Sequence, residues 1–164
     1  MKNINIKHEL SKFNYIETWL SNKTYFISAK VKGDYESCIV MFYSEPITAG
    51  QAFQQKKGAV SYIYIQDLSK SKYVIDDKFI NLIINQTRKS INYFVFEMAD
   101  GKKFNYFLKF NDFFIFYPNG YSSDDVLNVY SNKVIINNKL VDFDVKYKNS
   151  LNFYKAHDYI VCFY

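Results

Sequence analysis

The side chains of this chain that could do chemistry are two histidines, two cysteines and three closely spaced acidic pairs. Histidine exchanges protons near neutral pH, and His157 stands beside Asp158, a carboxylate that could orient its imidazole. Neighbours on an extended chain point to opposite faces, so the two do not easily meet. His8 lies in a polar segment and reads as a surface residue. Cys38 and Cys162 are embedded in apolar runs with no nucleophile motif or electropositive setting around them. They read as buried free thiols, with a disulfide open if their strands are neighbours. Zinc requires clustered ligands, and positions 8, 38, 157 and 162 offer no cluster.

The acidic pairs are equally plain. Asp76-Asp77 and Asp124-Asp125 stand where helices start, and carboxylates there accept from unsatisfied N–H groups. Asp142 and Asp144 share one face of a strand, a geometry that a divalent cation or a basic partner could use. Val141, Phe143 and Val145 on the other face give the simpler account, an amphipathic strand with an acidic outer row. Glycines at 33, 50, 58, 101 and 120 cannot build a phosphate loop. Tyr93, Tyr106 and Phe107 near Lys102, Lys103 and Lys109 could imitate an RNA-stacking sheet, although no ribonucleoprotein-type motif accompanies them. No catalytic residue, metal ligand or cofactor is expected. The residues expected to meet a partner are Asp124, Asp125, Asp142, Asp144, Tyr106 and Lys109.

What must position these residues is a sheet. Sixteen tyrosines and sixteen phenylalanines in 164 residues, against five glycines and two prolines, commit the chain to strands with short turns. Leu10, Phe13, Ile16 and Trp19-Leu20 recur at helical spacing and predict an amphipathic helix over 9–21. A hairpin through Gly33-Asp34 follows, then a long connection or short helix over 45–57 and a strand over 59–66. Residues 76–89 suit either state, and the helix, capped by Asp76 or Asp77, is preferred. Strands over 90–98 and 103–110, turning at Asp100-Gly101, and a third over 112–117, turning near Asn111-Asp112, predict an antiparallel meander. Ser122 to Asp125 opens a short helical turn reaching Tyr130. A hairpin at Asn137-Asn138-Lys139 and a last strand over 158–163 complete the chain. The expected fold is a single α+β domain over 1–164, mainly antiparallel sheet, strongly curved or barrel-like, with an N-terminal helix and one or two further short ones.

The formal net charge is +5, but Arg88 is the one arginine. Arginine is the residue that forks onto phosphate and guanine, so the lysine excess reads as AT-rich codon usage and as a solubility device. The segment 1–8 lacks a signal peptide's apolar core, and no apolar run approaches the roughly 18 residues of a membrane span. A cytoplasmic protein is expected.

In size, residue bias and lack of catalytic motifs the chain resembles the small immunity proteins of bacterial toxin–immunity systems, such as those of contact-dependent growth inhibition. The likeness is one of profile across the whole chain. It implies a non-enzymatic protein that binds a cognate toxin domain and blocks its active site or its access to substrate. The alternatives are a nucleic-acid or polyanion-binding module, which needs its lysines on one face, and a small-ligand carrier or enzyme, which needs a concave apolar pocket within the sheet.

Overall fold

The computed structural model describes residues 4–33, 35–43 and 58–164. The connection expected over 45–57 lies outside the described residues. The fold is α+β and mainly antiparallel sheet. Its residues gather into two compact units, one from Met1–Val74 with Asp158–Tyr164 and one from Ile75–His157.

The first unit holds a five-stranded sheet built from β1 (Thr24–Val31), β2 (Tyr35–Phe42), β3 (Ala59–Ser61), β4 (Ile65–Ser69) and β10 (Ile160–Phe163), in the order β3-β10-β2-β1-β4. β1 and β2 form the expected hairpin, with Ile27 opposite Ile39 and Tyr25 opposite Met41. β10 is the exception to the antiparallel rule, because it runs parallel to both β2 and β3. The strand expected over 59–66 is broken by a 3-10 turn at Tyr62–Tyr64. The break follows from topology, since β3 and β4 lie on opposite edges of the sheet. Four strand spacings in a flat sheet separate those edges by about 19 Å, whereas the short link can reach only about 14 Å. The sheet must therefore curl, and a register shift at Lys30/Val31, between β1 and β4, supplies a bend of the kind that bulges introduce.

Helix α1 (Ile6–Leu10) lays Ile6 and Leu10 onto the face of this sheet that carries Ile27, Ile39, Met41 and Cys162. Phe26, Val40, Phe42 and Val161 on the other face are buried as well. The helix is shorter than the one expected over 9–21. Asn5 caps it by accepting from the His8 N–H (3.2 Å), and Ser11 closes it. Beyond that point Thr18, Ser21 and Thr24 bind local backbone: Thr18 Oγ1 accepts from the Leu20 N–H (3.1 Å) and meets Thr24 Oγ1 (2.7 Å). Ile16 and Thr24 exchange both backbone hydrogen bonds, at 3.0 and 2.9 Å. Side chains that offer the backbone such partners compete with a helix, and here they win. Leu20 is buried as expected, but Ile16 and Phe13 are only partly so. Ile16→Asp is accordingly expected to cost about 1 kcal/mol in a denaturant titration, well short of a core aspartate; a loss of several kcal/mol would show that Ile16 is core.

In the second unit α2 (Asp77–Arg88) forms as preferred, its Asp76 side chain accepting from the Lys78 N–H (3.1 Å). It buries Ile80, Ile83, Ile84 and Thr87, spaced to share one helix face. β5 (Tyr93–Met98) and β6 (Lys103–Phe107) form the expected hairpin, with Gly101 at φ +85°, where other residues are strained. The third strand of the meander is a correction. β5 takes β7 (Val126–Ser131) on its other side, giving the order β6-β5-β7. The turn at Asn111 exists, with φ +70° and Asp112 Oδ2 accepting from the Lys109 N–H (2.7 Å). It leads 112–117 away from β6, whose outer edge is taken by Tyr154 instead. Ile115 makes only a single bridge, to Ala156, while Phe113, Phe114 and Ile115 are buried.

Ser122 and Asp125 close a capping box around a 3-10 turn at Ser123–Asp125, and β7 starts at once, so no helical turn reaches Tyr130. β8 (Lys133–Ile136) and β9 (Lys139–Asp142) form the expected hairpin on Asn137 and Asn138, both at positive φ. β9 ends earlier than expected. Asp144 accepts from the Lys146 N–H (3.1 Å) and starts a 3-10 turn at Val145–Tyr147, which leaves Val145 76% exposed rather than inward.

Candidate functional site

A concave feature with aromatic walls lies in the first unit, and strand register explains it. β1 begins where antiparallel β2 ends, and β10, parallel to β2, ends there too. Tyr25, Tyr43 and Tyr164 therefore meet at one end of the sheet, where the Tyr164 N–H donates to the Phe42 carbonyl (3.3 Å). Side chains alternate along strands, so Tyr25, Tyr43 and Tyr164 share the parity of Met41 and Cys162 and point to the α1 side. The end of α1 and the chain from Phe13 to Lys23 form the opposite wall. The result is a cleft of about 820 Å³ lined by Phe13, Tyr15, Tyr25, Tyr43 and Tyr164, with Leu10 in its lining.

The rings meet edge to face. Tyr15 and Tyr25 have centroids 6.1 Å apart at 65°, and Tyr43 and Tyr164 are 6.0 Å apart at 68°. These are preferred aromatic geometries. Lys23 Nζ lies 5.1 Å from the centre of the Tyr15 ring. Among the described residues of the lining, Lys7 and Lys23 carry the charged side chains. Burial raises the Tyr25 and Tyr164 hydroxyls above their ordinary pKa, with a neighbouring tyrosine adding to each. Both remain protonated at neutral pH and can donate.

The residues expected to meet a partner are not brought together. Tyr106 is a correction: it is fully buried, and its hydroxyl donates to the Phe116 carbonyl (2.8 Å). Burial holds its pKa far above the usual range. Asp125 lies at the Met98 end of β5, its carbonyl accepting from the Ala99 N–H (2.8 Å), with exposed Asp124 beside it. Asp142 and Asp144 flank Phe143, whose ring stacks at 3.7 Å on Tyr93 at the other end of β5. Those ends are about 17 Å apart along the strand. Asp125 accepts from the Ser122 N–H (2.7 Å), Asp142 pairs with Lys133, and Asp144 caps a turn. Lys109 is exposed, and its backbone N–H is held by Asp112.

The RNA-like surface is split in the same way. Tyr106 and Phe107 are neighbours on β6 and point to opposite faces. On the Phe107 side, Tyr93 is stacked on Phe143 and edged by Phe153 (5.1 Å), so its ring already has protein partners. Lys103 lies 3.5 Å from Glu97, whose carboxyl is held low first by the Tyr130 hydroxyl (2.7 Å).

The remaining candidates have structural settings. The His157 ring packs on Phe116 (4.6 Å), and the backbone N–H of His157 donates to the Phe114 carbonyl (2.7 Å). Cys38 and Cys162 are in no disulfide, and both are buried. Their strands are neighbours, but Cys162 pairs with Met41, three residues from Cys38 and of opposite parity, so the thiols face different sides of the sheet. Burial raises both thiols, Cys162 to about 12. A disulfide reagent at pH 8 is expected to leave both unmodified in native protein and to titrate two thiols in denaturant, because the thiolate is the reactive form. Modification within minutes without denaturant would contradict this burial. Among the described residues no three His, Cys, Asp or Glu gather as a metal site, and no helix is long and apolar enough to cross a membrane.

Sequence reasoning missed the cleft. Its aromatics come from separate stretches of chain, and no spacing pattern marks Tyr43 and Tyr164 as neighbours before β10 is placed beside β2. Compared with known protein families, curated proteins and solved structures, the chain matches none.

Proposed function

We propose that this chain is a non-catalytic binding protein of the immunity kind, acting in the bacterial cytoplasm on a cognate toxin domain through its tyrosine-lined cleft. The observation that carries this reading is the cleft itself, a concavity with five aromatic walls and two lysines at one end of a curled sheet. Tyrosine is enriched at the energetic centres of protein interfaces because it brings large contact area at little entropic cost. Protruding side chains of a partner would be desolvated inside the cleft. The rim charges would steer approach rather than set affinity.

The test is calorimetric titration with the product of the neighbouring gene, expected to be a large secreted protein with a variable C-terminal domain. Binding should be nanomolar and survive moderate salt. Tyr15→Ala and Tyr43→Ala should each weaken it about tenfold or more. Asp142→Asn should alter mainly the association rate, and His157→Ala should leave affinity intact. Submicromolar binding of single-stranded RNA in physiological salt, with no protein partner captured, would replace this reading by the polyanion one.

A second reading, a small-ligand carrier, is favoured by the cleft's volume, which lies within the range of about 300–1,000 Å³ usual for ligand pockets.

A further inference from the structure

We infer that Asn119 is a site of spontaneous covalent modification: its side-chain amide is lost through a cyclic imide formed with the backbone of Gly120, and the turn then carries aspartate or isoaspartate.

The reaction needs an asparagine amide as electrophile and the next backbone nitrogen as nucleophile. The Gly120 nitrogen bonds to Asn119 Cγ and closes a five-membered imide. The bond from Cγ to the side-chain nitrogen breaks, and that nitrogen departs as ammonia with the proton that Gly120 gives up. Water then opens the imide. Opening at the side-chain carbonyl gives aspartate, and opening at the main-chain carbonyl gives isoaspartate, whose backbone is one methylene longer. Water is the one co-reactant, and no electrons change hands.

Of the five glycines, only Gly120 follows an asparagine. A side chain on that residue would shield the attacking nitrogen, and glycine has none. Pro118 to Tyr121 is a β-turn closed by the Tyr121 N–H on the Pro118 carbonyl (3.0 Å), with Gly120 at φ +87°, as the third position of a type II turn demands. Asn119 and Gly120 are both exposed, and nothing lies within 4 Å of where a Cβ on Gly120 would stand. Attack requires the peptide plane between them to rotate, which a glycine in open space accommodates.

The comparable pairs are protected. Asp100-Gly101 could close the same imide by losing water, but Asp100 accepts from the Tyr121 hydroxyl (2.6 Å) and the Lys102 N–H (3.0 Å), which keep its carboxyl ionised and a poor electrophile. Asn137 and Asn138 also occupy a turn, but Asn138 and Lys139 follow them and bring side chains. The consequence of reaction at Asn119 falls on Tyr121, whose hydroxyl holds Asp100 in the β5-β6 turn and whose ring meets Phe104 at 5.4 Å. An extra methylene two residues earlier displaces both contacts.

The test is ageing of the whole chain in mildly alkaline buffer, followed by peptide mapping. The peptide holding Asn119 should gain the mass of an amide exchanged for an acid, accept methyl groups from an isoaspartyl methyltransferase, and do so before any other asparagine peptide. Its rate should rise in proportion to hydroxide, since the deprotonated amide nitrogen is the nucleophile. Asn119→Gln, whose imide would be a six-membered ring, should suppress the change, and the exposed side chain makes the substitution mild for the fold. The isoaspartate form, separated by ion exchange, should melt about 2–4 °C below fresh protein for one lost hydrogen bond in a chain of this length. Asn119→Asp, which has the charge without the methylene, should melt with the wild type. Asn119 left intact while other asparagines react, or equal ageing in Asn119→Gln, overturns the assignment. An isoaspartate form that melts with Asn119→Asp overturns the effect on Tyr121.

Discussion

Tyr106→Ala is expected to remove about 3–5 kcal/mol of stability, the range for emptying an aromatic site in a packed core. Tyr106 has no solvent exposure, tilts against Phe96 at 4.4 Å and lies 5.3 Å from Tyr154. Its hydroxyl binds the Phe116 carbonyl at 2.8 Å. Alanine leaves a void that the surrounding rings cannot close. Tyr106→Phe separates the two contributions, since it keeps the ring and loses one hydrogen bond, at about 1–2 kcal/mol. Denaturant titration of both variants is the check. If Tyr106→Ala kept native stability and lost only a binding activity, Tyr106 would be a surface residue and the core assignment of the second unit would fail.

The second large effect is expected at Ile39→Asp. Ile39 is fully buried on β2, between Ile27 of β1 and Ile160 of β10, in the cluster that α1 covers. An aspartate there has no water and no cationic partner, and it should cost several kcal/mol, enough to unfold a domain of ordinary stability. Ile39→Val, by contrast, should cost about 0.5–1.5 kcal/mol. The pH dependence carries the signature. Burial raises the folded-state pKa of the new carboxyl above its unfolded value, so the native state binds more protons across that interval. Stability then falls as pH rises through it, and the defect is smallest in acid. A variant whose deficit did not shrink on acidification would show that the aspartate reaches solvent.

The contrast with Ile16→Asp marks where sequence reasoning holds and where it fails. Both isoleucines sit in apolar patterns, one at helical spacing and one in a strand run. For Ile39 the run from Cys38 to Phe42 is apolar throughout, and either face of such a strand must be buried. For Ile16 the spacing matched a helix, but Thr18, Ser21 and Thr24 offered the backbone closer partners and tied the segment into a turn before β1. Propensity is a weak prior, and local side-chain hydrogen bonds displaced it.

The same division runs through the second unit. The Asp100-Gly101 hairpin, the Asn137-Asn138 hairpin and the helix after Asp76 were legible because each depends on contacts within a few residues. The third strand of the meander was not, because a turn at Asn111 specifies a change of direction and does not name the edge on which the next segment pairs. The acidic residues were legible one by one, and their spacing in the fold was not. Alternation on one strand is local, whereas the separation of Asp125 from Asp142 depends on their lying at opposite ends of β5.

By itself, the sequence determined the class of fold, the first hairpin, the helix on Asp76 and the burial of both thiols, since backbone sterics, turn chemistry and apolar periodicity act over short stretches of chain. Tertiary structure alone decided that β10 lies parallel between β2 and β3, that the sheet curls, and that Tyr15, Tyr25, Tyr43 and Tyr164 enclose one cleft with Lys7 and Lys23. Those outcomes depend on which edges pair across more than a hundred residues of chain. The free energy that selects an edge comes from apolar burial summed over the whole sheet, a nonlocal quantity that no single segment carries.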